Sequence, residues 1–168
     1  MLGTDCYSAP HYELNDNGLA LKKITPEVAI SLAEQLSEIL PWRRIALGSQ
    51  NLMAHFLAKD PALFRFAVFV NEECVGAVSV RFPWLKGPYL ELLGLNPAFQ
   101  GQGIGRAVLH WFEGEAPPGT RNAWMLCSDF NEAALGFYEA LGYEKVTLIE
   151  SLYAAGFDDF LLRKKLLD

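Results

Sequence analysis

The sequence predicts a mixed α/β domain. Three observations predict it: short apolar runs of strand character, helical repeats placed between them, and one glycine run set between a strand-like and a helix-like stretch. With 168 residues, 51% of them apolar, the chain has the size of one ordinary domain and can bury a real core. A net charge of -6, with only 14 Lys and Arg and no basic cluster, argues against nucleic acid as a partner, because neutralising phosphates needs a basic face. Cys6, Cys74 and Cys127 are odd in number, widely spaced and remote from the histidines, so neither a disulfide framework nor a metal site is expected. No basic stretch leads into an apolar core at the N-terminus, and no run nears the roughly 18 apolar residues of a membrane span. A soluble cytoplasmic protein is expected.

Residues 1–18 are polar and broken by Pro10, Asn15, Asp16, Asn17 and Gly18, which predicts an irregular lead-in before a single domain over residues 19–168. Residues 19–24 read as a first strand. Thr25-Pro26 then supplies a helix cap followed by proline at the first helical position, and Val28, Leu32, Leu36, Ile39 and Leu40 keep helical spacing until Pro41. Residues 49–59 predict a shorter helix carrying Leu52, Met53, Phe56 and Leu57, ended by Asp60-Pro61. Residues 64–70 and 75–82 read as a hairpin across Asn71-Glu72-Glu73, and residues 89–95 as a further strand. After the glycine run, Ile104, Val108, Leu109, Trp111 and Phe112 mark a helix that stops near Gly114. Residues 123–128 predict a strand, 131–141 a helix with Gly142 at its end, and 145–150 and 157–166 two closing strands joined by a loop near Tyr153.

Residues 100–105 read Gln-Gly-Gln-Gly-Ile-Gly. Gly101, Gly103 and Gly105 let successive backbone N–H groups converge, and the helix that starts there adds its dipole and its unpaired donors, so the run suits a pyrophosphate without a metal. A dinucleotide fingerprint would need G-x-G-x-x-G spacing at the start of a βαβ unit, which this run lacks. With Leu95-Asn96-Pro97-Ala98-Phe99 leading into it, the run is similar to the phosphate loop of the GNAT superfamily of N-acetyltransferases. Two further features agree with that resemblance. The stretch Asn131-Glu132-Ala133-Ala134-Leu135-Gly136-Phe137-Tyr138-Glu139-Ala140-Leu141-Gly142-Tyr143 resembles the family's second signature, and the Pro26-headed helix with its shorter successor fits an acceptor-side lid.

The resemblance implies a mostly antiparallel sheet with a splayed central parallel strand pair flanked by helices. It implies an acetyl-CoA-dependent N-acetyltransferase that moves an acetyl group to a primary amine by direct attack in a ternary complex, with CoA as product. Backbone amides of Gln102, Gly103, Ile104, Gly105 and Arg106, with Gln100 and Gly101, would hold the pyrophosphate, and Arg106 would add a charge-assisted contact. Leu93, Gly94 and Leu95 would pair with the pantetheine arm, Gly94 allowing a close approach or a bulge. Tyr138 occupies the family's acid position, where a phenol can protonate the departing thiolate, and Asn131 would cap its helix and touch the arm. Glu91, on the central strand, is the candidate base. Cys127 reads as core filler, and no role is assigned to His11, His55 or His110.

The acceptor is left open between a small-molecule amine and a protein N-terminus. Pro41-Trp42 and Tyr153 are similar to aromatics bordering a peptide N-terminus in ribosomal-protein alanine N-acetyltransferases, and aromatics bordering any groove would look the same. Trp84 and Leu85, beside Lys86-Gly87-Pro88, are candidates for an exposed apolar hairpin tip used in a homodimer contact or in acceptor binding. A non-catalytic acyl-CoA-binding module of the same fold is the alternative reading.

Overall fold

A computed structural model describes residues 5–167. Strands β1 (His11–Glu13), β2 (Leu19–Lys23), β3 (Leu63–Val70), β4 (Glu73–Trp84), β5 (Gly87–Leu95), β6 (Asn122–Ser128), β7 (Glu144–Ala154) and β8 (Phe157–Lys165) form one sheet. Its order is β1-β2-β3-β4-β5-β6-β8-β7. Every neighbouring pair is antiparallel except β5 and β6. Helices α1 (Pro26–Ser37) and α2 (Ser49–Leu57) cover one face, and α3 (Ile104–Gly114) and α4 (Glu132–Ala140) the other.

Local chemistry sets the helix ends. Thr25 Oγ1 accepts from the Val28 N–H to open α1, and Asn131 Oδ1 accepts from the Ala134 N–H to open α4. Ala29, Leu32, Ala33 and Leu36 bury the inner stripe of α1 against Leu52 and Phe56 of α2 and against Ala67, Ala77 and Leu92 of the sheet. Helix α1 ends at Ser37, sooner than Pro41 requires, and Leu40 lies exposed in the loop. Opposite, Val108, Leu109 and Phe112 of α3 pack on Phe66, Val68, Val78 and Val80, the alternate residues of β3 and β4.

The stretch expected to be irregular contains β1, which pairs with β2, and Tyr7, which is fully buried and donates from its hydroxyl to the Phe112 carbonyl at 2.5 Å. Side chains far along the chain, Phe64, Phe82, Trp111 and Phe112, surround that ring, so local composition gave no sign of it. Residues 1–4 of the same lead-in lie outside the described residues. Strand β4 also runs past Pro83 to Trp84, and β7 extends to Ala154 rather than ending near residue 150.

Between β5 and β6 the ladder holds at two positions, Tyr89 with Trp124 and Leu90 with Met125, and then stops. The start of the pair is clamped. Trp84 stacks on Tyr89 at 4.6 Å between ring centroids, and Trp124 Nε1 donates to the Leu85 carbonyl at 3.1 Å. Beyond Leu90 the strands diverge because Glu91 is an extra residue against β4: Ser79 pairs with Leu92 and Val80 with Leu90. The bulge also breaks the alternation of β5, so Leu90 faces the α3 and α4 core while Leu92 faces α1 and α2.

Candidate active site

The opened edge of β5 lies along two adjoining cavities. One, of about 540 Å³, is walled by the loop after α1, by β5 and β6, and by the end of β7. The other, of about 450 Å³, lies between β5, the glycine run and α4. Leu93, Leu95, Gln100, Ala134 and Tyr138 line both. A groove therefore runs from the N-terminus of α3, past Tyr138, to a chamber under the α1–α2 side.

At its loop end, Gly101 and Gly103 adopt φ of 73° and 83°, left-handed conformations that strain a side chain bearing Cβ. Nothing lies within 4 Å of where a Cβ would sit at either. Gly103 caps α3 with no side-chain hydrogen bond, so the first-turn N–H groups of an eleven-residue helix have no side-chain cap. Gly105 serves another purpose than the loop glycines, since a Cβ there would stand 3.1 Å from Phe137 Cζ. Its bare backbone lets α3 and α4 approach.

Of the residues singled out by sequence, Glu91, Leu93, Gly94, Leu95, Gln100, Asn131 and Tyr138 line the larger cavity, and Gly101, Gly103, Gly105 and Arg106 line the smaller. Side chains of Gln102 and Ile104 line neither. Gln102 Nε2 donates to the Ala98 carbonyl at 3.0 Å, and Ile104 turns into the core at 7% exposure. Of the two alternatives for Gly94, a close approach or a bulge, the bulge lies at Glu91, and Gly94 pairs in register with Ala77. Gly94 does provide a close approach, but to protein: a Cβ would meet the Trp42 ring at 2.6 Å and Leu36 Cδ2 at 2.8 Å. Trp42 therefore rests on β5 as a wall of the chamber, and Tyr153 forms another part of the wall.

Tyr138 is 9% exposed, and burial, then the neighbouring Cys127, raise its phenol well above its ordinary range. It stays protonated through the neutral range. Glu91 is engaged by a cation: Arg81 Nε donates to its Oε2 at 2.7 Å and Arg81 Nη2 to its Oε1 at 3.4 Å. Arg81 also bonds Asp60 Oδ2 at 2.8 Å, holding that carboxyl below its ordinary value together with the Ala62 N–H.

Sequence reasoning missed the partners that gather here from distant strands. His55 of α2 lies 3.9 Å from Glu91 Oε1 and within hydrogen-bond reach of the buried Ser79 hydroxyl, 2.9 Å away. Burial lowers its pKa, with the Glu91 charge acting in the opposite sense. Asp159 of β8, 3% exposed, accepts from Ser128 Oγ at 3.0 Å and lines the chamber. The run Phe157-Asp158-Asp159-Phe160 holds a signal for it, since two adjacent carboxylates on a strand must face opposite ways. Cys127 beside it is buried, and burial, then Asp159, push its thiol up to about 12. Among the described residues no group of three or more His, Cys, Asp or Glu is placed to hold a metal ion.

The described helices include none long and apolar enough to cross a membrane. Comparison with known proteins matches residues 30–143 to the model of the acetyltransferase (GNAT) family. An acetyltransferase of Pectobacterium atrosepticum is 32% identical over 124 residues, covering 73% of this chain and 84% of the relative. Among solved structures, the ribosomal-protein-S18-alanine N-acetyltransferase of Escherichia coli superposes with a TM-score of 0.65 at 18% identity, over 89% of this chain and 95% of that one. The Microcin C7 self-immunity acetyltransferase MccE, solved with acetyl-CoA and AMP, gives 0.71 at 15% identity over 95% and 98%. At these identities the structural matches show a shared fold.

Proposed function

The chain belongs to the acetyltransferase (GNAT) family, and from that premise we propose that it transfers the acetyl group of acetyl-CoA to a primary amine by direct attack in a ternary complex. The observation that carries the reading is the groove itself: uncapped helix amides at one end, an unpaired strand edge along its length, and a buried phenol where the two cavities meet. Those features fit an elongated thioester with an anionic head. The glycine run and the first turn of α3 bind the pyrophosphate, with Arg106 beside them, and the main chain of Leu93 and Leu95 aligns the arm. Acetyl-CoA supplies an activated acyl group when bound.

Tyr138, kept protonated by burial, hands its proton to the departing thiolate and regains one from the new amide nitrogen. Trp42, Tyr153 and the Glu91–Arg81 pair shape the chamber that receives the amine, either a small molecule or a peptide N-terminus. Calorimetric titration tests the first step. Acetyl-CoA binding at micromolar or tighter Kd without heat from NADH is expected, followed by CoA release when amines are added. No binding would sink the reading, whereas binding without release for any amine would favour a non-catalytic acyl-CoA-binding module.

Direct attack also predicts the behaviour of Cys127. A thiol whose pKa stands near 12 holds almost no thiolate at neutral pH, so it makes a poor acyl carrier. The Cys127→Ala variant should keep kcat within about fivefold, since the change removes one buried sulfur and about 1 kcal/mol of packing. Loss of all turnover with acetyl-CoA binding intact would instead require an acyl-cysteine route.

A further inference from the structure

We propose that Asp159 receives the proton of the attacking amine, which reaches it as an ammonium ion. The inference deepens the function proposed above and rests on it. Asp159 is held nine-tenths buried at the start of β8, opposite Ser128 of β6, where the splay of β6 from β5 opens the chamber. Ser128 occupies its Oδ1. Among the described residues no cation pairs with Asp159 and no hydrogen bond to Oδ2 is present, and the residue lines the larger cavity. Cys127 is a neighbour of both Asp159 and Tyr138, and all three line the larger cavity.

Glu91 lines the same chamber, but Arg81, which also bonds Asp60, donates to both of its oxygens. An ammonium entering the chamber therefore meets one carboxylate already paired with an arginine and one, Asp159, without a cation among the described residues. The group without a cation gains more by pairing with it. Groups facing Asp159 are Cys127 and Asp129 from the β6 side, Asp158 on β8, Tyr89 of β5 and Tyr153 of β7. Burial, with the like charges of Asp129 and Asp158, raises the Asp159 carboxyl above its ordinary range, against the Ser128 hydrogen bond that lowers it.

Protons balance as follows. The ammonium gives one proton to the Asp159 carboxylate, the free amine attacks the thioester carbonyl, the C–N bond forms and the C–S bond breaks. The thiolate takes the Tyr138 proton, the phenolate recovers one from the amide nitrogen, and Asp159 releases its proton to solvent.

The test compares wild type with Asp159→Asn and Glu91→Gln, using spermidine, kanamycin and an alanine-ended hexapeptide as acceptors across a range of pH. Asparagine preserves the oxygen that accepts from Ser128. Expected for Asp159→Asn are acetyl-CoA binding unchanged within about twofold, kcat/KM down about a hundredfold at neutral pH, and loss of the acid limb of the wild-type profile. A raised native pKa means that the ionised carboxylate opposes folding once pH passes its unfolded value, so the variant should unfold at an equal or higher temperature. A merely structural Asp159 would instead show a lower Tm with the limb retained. Turnover within about threefold of wild type, or disappearance of the limb in Glu91→Gln alone, overturns the assignment while leaving the proposed function standing. No CoA release from wild type with any of the three acceptors overturns the inference, and if acetyl-CoA binding is also absent, the proposed function goes with it.

Discussion

Tyr138→Phe is expected to lower kcat about a hundredfold while changing the Kd for acetyl-CoA by less than about twofold. The variant removes one oxygen from a ring packed between Phe137 and Tyr143 and alters nothing else in the wall that both cavities share. Because burial holds the phenol far above its ordinary pKa, wild-type activity should show no alkaline limb from Tyr138 in the neutral range. The rate deficit should therefore be flat with pH there. Steady-state rates of CoA release across pH, with parallel calorimetry, decide the matter. Equal turnover in the two proteins would remove Tyr138 as the acid.

The largest expected effect on stability comes from Gly87→Ala. A Cβ at Gly87 would lie 2.0 Å from the Asn122 carbonyl oxygen and 2.9 Å from its carbon, and both are backbone atoms of β6 that cannot swing aside. Overpacking of this kind costs about 3 kcal/mol. For a domain of this size that is a fall in Tm of about 6–12 °C. Loss should concentrate at the β5–β6 junction, where the ladder holds at two register pairs and Trp124 bonds the turn before β5. Calorimetric unfolding measures the effect, and a fall of less than about 2 °C would show that the strands separate there with little strain.

Much of this architecture was legible in the residues because its determinants are local. Thr25-Pro26, Asn131 and the glycines at 101 and 103 each act within a turn or two of chain, and each does in the structure what its chemistry suggests. The parallel pair and its splay came with the family resemblance. What escaped the sequence depends on register between strands far apart. The bulge at Glu91 exists only relative to Ser79 and Val80, and Arg81 faces Glu91 only because β4 and β5 pair there. Tyr7 gave no sign of being a core residue, since its pocket is built from β3, β4 and α3. The close approach at Gly94 is to Trp42, which lies 52 residues away, and no spacing rule connects them.

The two cavities are built from different parts of the chain. Around the smaller one the donors are peptide groups of the glycine run and the first turn of α3, and around the larger one the walls are side chains contributed by α2, β5, β6, β8 and the loop after α1. Backbone donors persist through most substitutions, whereas side-chain walls change with every codon. If the proposed function holds, such a molecule can drift or be engineered toward new acceptors while the peptide donors of the smaller cavity are inherited intact. Libraries confined to Trp42, His55 and Tyr153 would vary the walls of the larger cavity and leave the peptide donors of the smaller one untouched.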